Sequence, residues 1–274
     1  MDPFHDWLHL LTRWFHVVVA VAWIGQTWLF SWMDRSLEPL ADGDEEGAGG
    51  VEGRLWMVHS GGFYRVDKQT LVPARMPATL HWFKWEAALT WLSGLLLLAI
   101  VYYAGGAIVA FDSPVGTAGG IAIGLGSLAA GWIVYDLIWL SPLRRREALG
   151  AAVCFALIVA TGWLLTQVLS ARAAYLHVGA IFGTIMAANV WQRILPAQRQ
   201  LVAATRAGTA ADPALAARAK QRSKHNTYLS VPVIFLMISS HFPTTTYGHR
   251  LNWLVLGVLV LLGWAGRKVM TMTR

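Results

Sequence analysis

Apolar side chains along this chain gather into seven long runs, at about 8–32, 86–110, 117–140, 148–169, 173–195, 227–242 and 250–271, with the charged residues collected between them. An α-helix needs about 20 predominantly apolar residues to cross the hydrocarbon core of a bilayer. The pattern predicts an all-α integral membrane protein, a bundle of about seven transmembrane helices forming a single membrane domain over 1–274. The sixth run is the shortest and contains Pro232, so a kinked or partly re-entrant segment is expected there. The first run does not read as a cleaved leader: no basic region precedes it, it is too long, and no small-residue cleavage pattern follows.

Composition agrees, with 56% hydrophobic residues, 14% charged and 15 Trp in 274, too apolar for a soluble domain of this size. Lys and Arg are retained on the cytoplasmic side of a membrane. With seven spans, alternate loops and the tail collect nineteen of the 22 basic residues, leaving Arg13, Arg172 and Arg250 on the other side. The N-terminus is therefore expected outside, the C-terminus inside, and the loops 33–85 and 196–224 in the cytoplasm, for a multi-pass protein. The net charge of +7 is then topological, which removes nucleic acid as a partner and leaves the lipid bilayer. A lone cysteine, Cys154, excludes an intrachain disulfide, a thiolate zinc site and a Cys-x-x-Cys-His haem attachment.

Within 33–85, an acidic glycine-rich stretch from Asp42 to Gly53 precedes Trp56 to Lys68, which reads as an interfacial helix broken at Gly61-Gly62. The segment 196–224 reads as two short helices separated at Asp212-Pro213.

Six of nine histidines, His5, His9, His16, His177, His241 and His249, fall on the expected outer side. His9 and His16 are seven positions apart and share a helix face, His16 lying roughly 10 Å deeper at about 1.5 Å per residue. An ionisable group at that depth is a functional candidate. His177 stands at the head of a groove of small residues, Gly179, Gly183 and Ala187, of a kind that accepts another helix or a planar macrocycle. His241 ends the sixth run near the outer interface, and His249 reads as solvated. Haem iron takes imidazoles from facing helices. The expectation is a b-type haem in the outer leaflet, bound by His16 and His177 with His9 and His241 in reserve; two haems, or an iron or copper site using three histidines, also satisfy the spacing.

On the inner side, His59, His81 and His225 join Lys84, Glu86 and Asp136 near helix ends, where such groups commonly pair with each other and with headgroups. Leu80-His81-Trp82-Phe83-Lys84-Trp85-Glu86 combines an aromatic belt with a base and an acid, suited to the entry of a planar ligand such as a quinone or purine. The catalytic candidates are His81, Lys84, Glu86 and His225.

Four stretches carry a resemblance: Trp14-Phe15-His16-Val17-Val18 with Ala22-Trp23-Ile24-Gly25; Gly61-Gly62-Phe63-Tyr64-Arg65-Val66; Leu80 to Glu86 running into Thr90-Trp91-Leu92-Ser93-Gly94; and His225-Asn226-Thr227-Tyr228 with Pro232-Val233, Met237-Ile238-Ser239 and His241. In these the chain resembles the membrane domain of the bacterial cytochrome c-linked urate oxidases (urate hydroxylases). The resemblance implies oxidation of urate to 5-hydroxyisourate with electrons passed to cytochrome c instead of oxygen. It departs from that family in stopping after the seventh span without a cytochrome c domain, so the acceptor is expected to be a separate cytochrome c. The alternative is a haem b electron-transfer or anchor subunit of a larger respiratory or dehydrogenase complex. A third possibility is a haem-free scaffold or transporter whose histidines only pack.

Overall fold

The structure, a computed structural model, describes residues 3–40, 50–70, 72–110 and 113–272. Helix α1 spans Pro3–Ser36. Helix α2 spans Trp85–Leu98 and is prolonged by a wider π-wound turn, Ala99–Ala104. Then come α3 (Gly116–Leu140), α4 (Glu147–Val168) and α5 (Ala171–Ala188). A second π turn, Asn189–Ile194, carries α5 straight into α6 (Leu195–Ala207). Helix α7 (Pro213–Ile238) and α8 (Asn252–Met272) complete the bundle.

Six of these stretches are long and apolar enough to cross a membrane: α1, α2 with its π turn, α3, α4, the continuous Ala171–Ala207, and α8. Helix α7 is as long, but its first half carries the basic string from Arg218 to Lys224. It is one unbroken helix with Pro232 inside it, which corrects only the re-entrant alternative for 227–242. Pro232 deprives the Tyr228 carbonyl of its i+4 donor. The helix continues because α8 packs against that point: a Cβ on Gly263 would lie 3.0 Å from the Pro232 ring.

The segment 196–224 is also corrected, since α6 continues α5 through the π turn and 213–224 opens the long helix α7, so neither is a separate short helix. The break itself stands where expected. Gly208 closes α6 in the left-handed region, and the Asp212 side chain accepts a hydrogen bond from the Ala214 amide at 2.8 Å with Pro213 at the first helical position.

Trp56 to Lys68 is not a helix. Strands β1 (Val51–His59) and β2 (Gly62–Gln69) form an antiparallel hairpin, the departure from an all-α fold. Residues such as Val51, Leu55, Val58, Phe63, Tyr64 and Val66 favour a pleated surface. Ser60 and Gly61 both have positive φ, the two-residue turn whose twist matches that of the strands. The hairpin is tied to the end of α1 by paired backbone bonds of 2.8 Å between Glu38 and Arg54.

Helix α5 lies at the centre, against α2, α3, α4 and α7, while α1 packs on α2 and α7, and α8 on α4 and α7. Tyr175, His177, Val178 and Phe182 are fully enclosed. The outward faces carry large apolar side chains, among them Trp14 and Val21 on α1, Leu137 on α3, Leu164 on α4 and Leu262 on α8. That much exposed apolar surface suits helices whose solvent is lipid.

Candidate functional site

At the end of the bundle that carries the hairpin, six polar side chains meet, most of them inside the protein. Asp136 of α3 receives hydrogen bonds from two guanidiniums: Arg222 of α7 at 2.8 Å, itself 3% exposed, and Arg193 of the second π turn through both Nε, at 2.9 Å, and Nη2. Asn189, from the same turn, donates to the Tyr135 phenol at 3.0 Å and to the Asn226 side-chain oxygen at 2.9 Å, and Asn226 donates to the Met186 carbonyl at 3.0 Å. Two cations against one carboxylate leave a surplus positive charge in the network. The Arg222 guanidinium also lies over the Tyr135 ring, 5.0 Å from its centroid.

His225 joins through Tyr135, its Nδ1 2.8 Å from the phenol oxygen. Because the Asn189 amide donates to that oxygen, the phenol hydrogen is free to point at His225 Nδ1. The imidazole also packs on Trp139, ring centroids 4.2 Å apart.

Beside this network is a cavity of about 660 Å³ between α3, α4, α5 and α7. Facing residues of α3 and α4 at helical spacing give it an apolar length, and His225, Tyr135, Tyr228, Lys224 and Glu147 give it a polar end. Lys224 and Glu147 pair at 2.6 Å, so the net charge near that end comes from the Arg222–Asp136–Arg193 group.

The other sequence candidates lie elsewhere. His81 is exposed and edge-on to Phe83, at 4.5 Å; Lys84 lies over the Trp85 ring at 5.3 Å; Glu86 accepts a hydrogen bond from Gln26 of α1 at 3.3 Å. These three lie at or just before the start of α2, Glu86 against α1, and none of them lines the cavity that His225 faces.

The outer-side histidines do not converge. His16 Nδ1 is 2.9 Å from Ser93 Oγ, and Ser93 donates its own hydrogen to the Leu89 carbonyl at 2.6 Å, so the imidazole must be the donor. His177 Nδ1 donates to the Ala173 carbonyl at 2.8 Å, and its Nε2 lies 3.1 Å from the Tyr103 hydroxyl, which donates to it. Both histidines are thus held by hydroxyls of α2 and its π turn, Ser93 and Tyr103, ten positions apart and roughly 15 Å along a helix axis. His177 Nε2 also faces the α3 backbone so closely that a Cβ on Gly124 would come within 2.6 Å. One iron needs both Nε2 atoms turned toward it across a macrocycle, and this packing does not fit a haem shared by His16 and His177.

His9 Nε2 is 2.6 Å from the Arg13 guanidinium, always a donor, so its lone pair is already engaged. His241 is exposed in the 3₁₀ turn that ends α7. No group of three or more His, Cys, Asp or Glu side chains able to hold a metal ion is present among the described residues.

Tyr135, Trp139, Asn189, Arg193 and Arg222 escaped sequence reasoning as site residues. A signal existed: Tyr135 and Trp139, Asn189 and Arg193, and Arg222 and Asn226 are polar or amphipathic pairs at i, i+4 on otherwise apolar or buried helices. What was invisible is that a π turn aims Asn189 and Arg193 at α3, a winding often found at functional positions.

Compared with known families, the chain matches the one described as Urate oxidase N-terminal, over residues 2–274. No curated protein and no solved structure matches the chain.

Proposed function

We infer the function of a chain that belongs to the urate oxidase N-terminal family from what lies at the polar end of its cavity. The proposal is that urate binds there and is oxidised to 5-hydroxyisourate, its electrons leaving for a separate cytochrome c, in a multi-pass protein of a bacterial inner membrane. The observation that carries it is the surplus positive charge of Arg222 and Arg193 over Asp136, set behind Tyr135, His225 and Trp139. Urate is a flat anion at neutral pH. Aromatic rings match its plane, and a buried cation surplus matches its charge.

The residues also supply a path for protons. Urate and one water become 5-hydroxyisourate, two protons and two electrons, and two ferric cytochromes take one electron each. A proton leaving the substrate passes to the Tyr135 oxygen as the phenol proton moves to His225 Nδ1. Asn189 holds the phenol oxygen, and the Arg222 charge over the ring favours the transient phenolate. Turning the hydroxyl and the imidazole to one another in advance is the preorganisation such a transfer needs. No step is assigned to haem.

Equilibrium binding of radiolabelled urate to the purified protein tests the site. The expected result is saturable binding that weakens about tenfold or more in Arg222→Gln, roughly the contribution of a charge-assisted contact. Arg193→Gln removes the same surplus charge from a more exposed position and is expected to act in the same direction. Equal affinity in all three proteins, or no binding to the folded protein, contradicts the proposal.

A further inference from the structure

On the opposite flank of the same end, a guanidinium is buried in the seam between α1 and α8 without an anion. Arg267 of α8 is 2% exposed and forms no ion pair among the described residues. Its Nη2 donates to Ser31 Oγ of α1 at 2.9 Å, and Arg35 Nη1 donates to the same oxygen, also at 2.9 Å. Arg267 Nε is buried with no hydrogen-bond partner at all. The Trp28 ring lies 5.7 Å from the guanidinium, but its own N–H is directed to Ser230 at 2.9 Å. Asp34, the nearest carboxylate along α1, is engaged by Lys68 at 2.5 Å.

The groups that converge here are donors, and a single hydroxyl oxygen serves two cations. A buried guanidinium is costly unless paired, and Arg267 is also repelled by the exposed Arg35 guanidinium drawn to the same neutral oxygen. An oxyanion in place of, or beside, the Ser31 hydroxyl would relieve both. Helices α1 and α8 rest mainly on other helices, so the Arg267 side chain reaches across a seam. Exposed apolar side chains flank these residues in sequence on both helices: Leu29 and Phe30 beside Ser31 on α1, Val269 beside Arg267 on α8.

We propose that Arg35, Arg267 and Ser31 form a binding site for a phosphate oxyanion, presented by an anionic phospholipid whose acyl chains lie along those apolar flanks. Planar guanidiniums bind phosphate through paired hydrogen bonds, and basic pockets between helices on the basic-rich side of a membrane protein are suited to anionic headgroups. The site is independent of the cavity and of urate.

The test is lipid binding to the full chain purified in an uncharged detergent, measured by native mass spectrometry and by thermal unfolding. Dioleoylphosphatidylglycerol, dioleoylphosphatidylcholine and inorganic phosphate are the probes. Phosphatidylglycerol is expected to bind and raise the unfolding temperature, phosphatidylcholine to do neither, and Arg267→Gln to weaken phosphatidylglycerol binding about tenfold. Arg35→Gln changes an exposed side chain, keeps the fold, and is expected to weaken binding several-fold, so it decides the matter should Arg267→Gln fail to fold. Inorganic phosphate that displaces the lipid at comparable concentration would identify a soluble oxyanion as the source; phosphate that does not displace it identifies the headgroup. Equal retention of the two lipids, or identical phosphatidylglycerol binding in wild type and variants, overturns the site.

Discussion

A carboxylate that holds two guanidiniums cannot be removed without leaving both of them uncompensated. Asp136→Asn keeps the shape of the side chain and discards its charge, leaving the buried Arg222 with no anionic partner among the described residues. Breaking a buried ion pair by losing one partner costs on the order of 3–5 kcal/mol. Chemical unfolding in detergent should show Asp136→Asn destabilised on that scale, and much more than Arg193→Gln, which leaves the Arg222–Asp136 pair intact. Comparable stability for the two variants would mean that Asp136 is not the hub. At this scale the sequence was a partial guide. Its place among the ionisable groups at the inner helix ends made His225 a candidate, and its partners Tyr135 and Trp139 lie at i, i+4 on α3. The pairing of His16 with His177 rested on depth along the helix, which says nothing about rotation about its axis. Each histidine is turned to a different hydroxyl of α2 and its π turn, Ser93 and Tyr103.

Among the elements, the hairpin is where local preference and expectation parted. Trp56 to Lys68 mixes aromatic, aliphatic and charged residues, a composition shared by interfacial helices and by exposed strands. The turn decided it, since Ser60-Gly61 closes two strands more readily than it interrupts a helix. Across the strands, Arg54 faces Asp67 at 2.7 Å, and that hydrogen bond, helped by the nearby charge of Arg65, holds the Asp67 carboxyl below its usual range. A depressed carboxylate contributes stability that is fully present above the unfolded value, about 3.9, and is lost as pH falls through the lower folded value. Amide exchange in β1 and β2 is therefore expected to show no loss of protection from pH 7 to about 5, once intrinsic exchange is allowed for, and a loss below about 4 that Asp67→Asn abolishes. An identical acid response in that variant would exclude the pair. The two π turns were beyond reach of the sequence, because one extra residue in a turn hardly disturbs an apolar run. They nonetheless position Tyr102, Tyr103, Asn189 and Arg193.

For the whole molecule, runs of apolar residues located the helices well, and α7 alone is too polar in its first half to qualify as a span by composition. The basic residues predict that the hairpin lies in the cytoplasm. Cys154 is the lone thiol, so in a Cys154→Ser background the exposed position of Phe63→Cys provides a single reporter. A membrane-impermeant maleimide should label it in inside-out vesicles and not in intact spheroplasts; the reverse pattern would invert the topology. With that orientation, urate would be met at the hairpin end, and the acceptor at the opposite face would need an electron path across the bundle. The central claim is that the Tyr135–His225 end of the cavity oxidises urate. Its most direct test is the reduction of ferric cytochrome c by urate in the presence of the purified protein. Wild type should reduce two cytochromes per urate consumed, and His225→Gln should bind urate yet turn over about a hundredfold more slowly, as expected when a positioned proton acceptor is lost. Full activity in His225→Gln, or no urate-dependent reduction by the folded wild-type protein, would contradict the account.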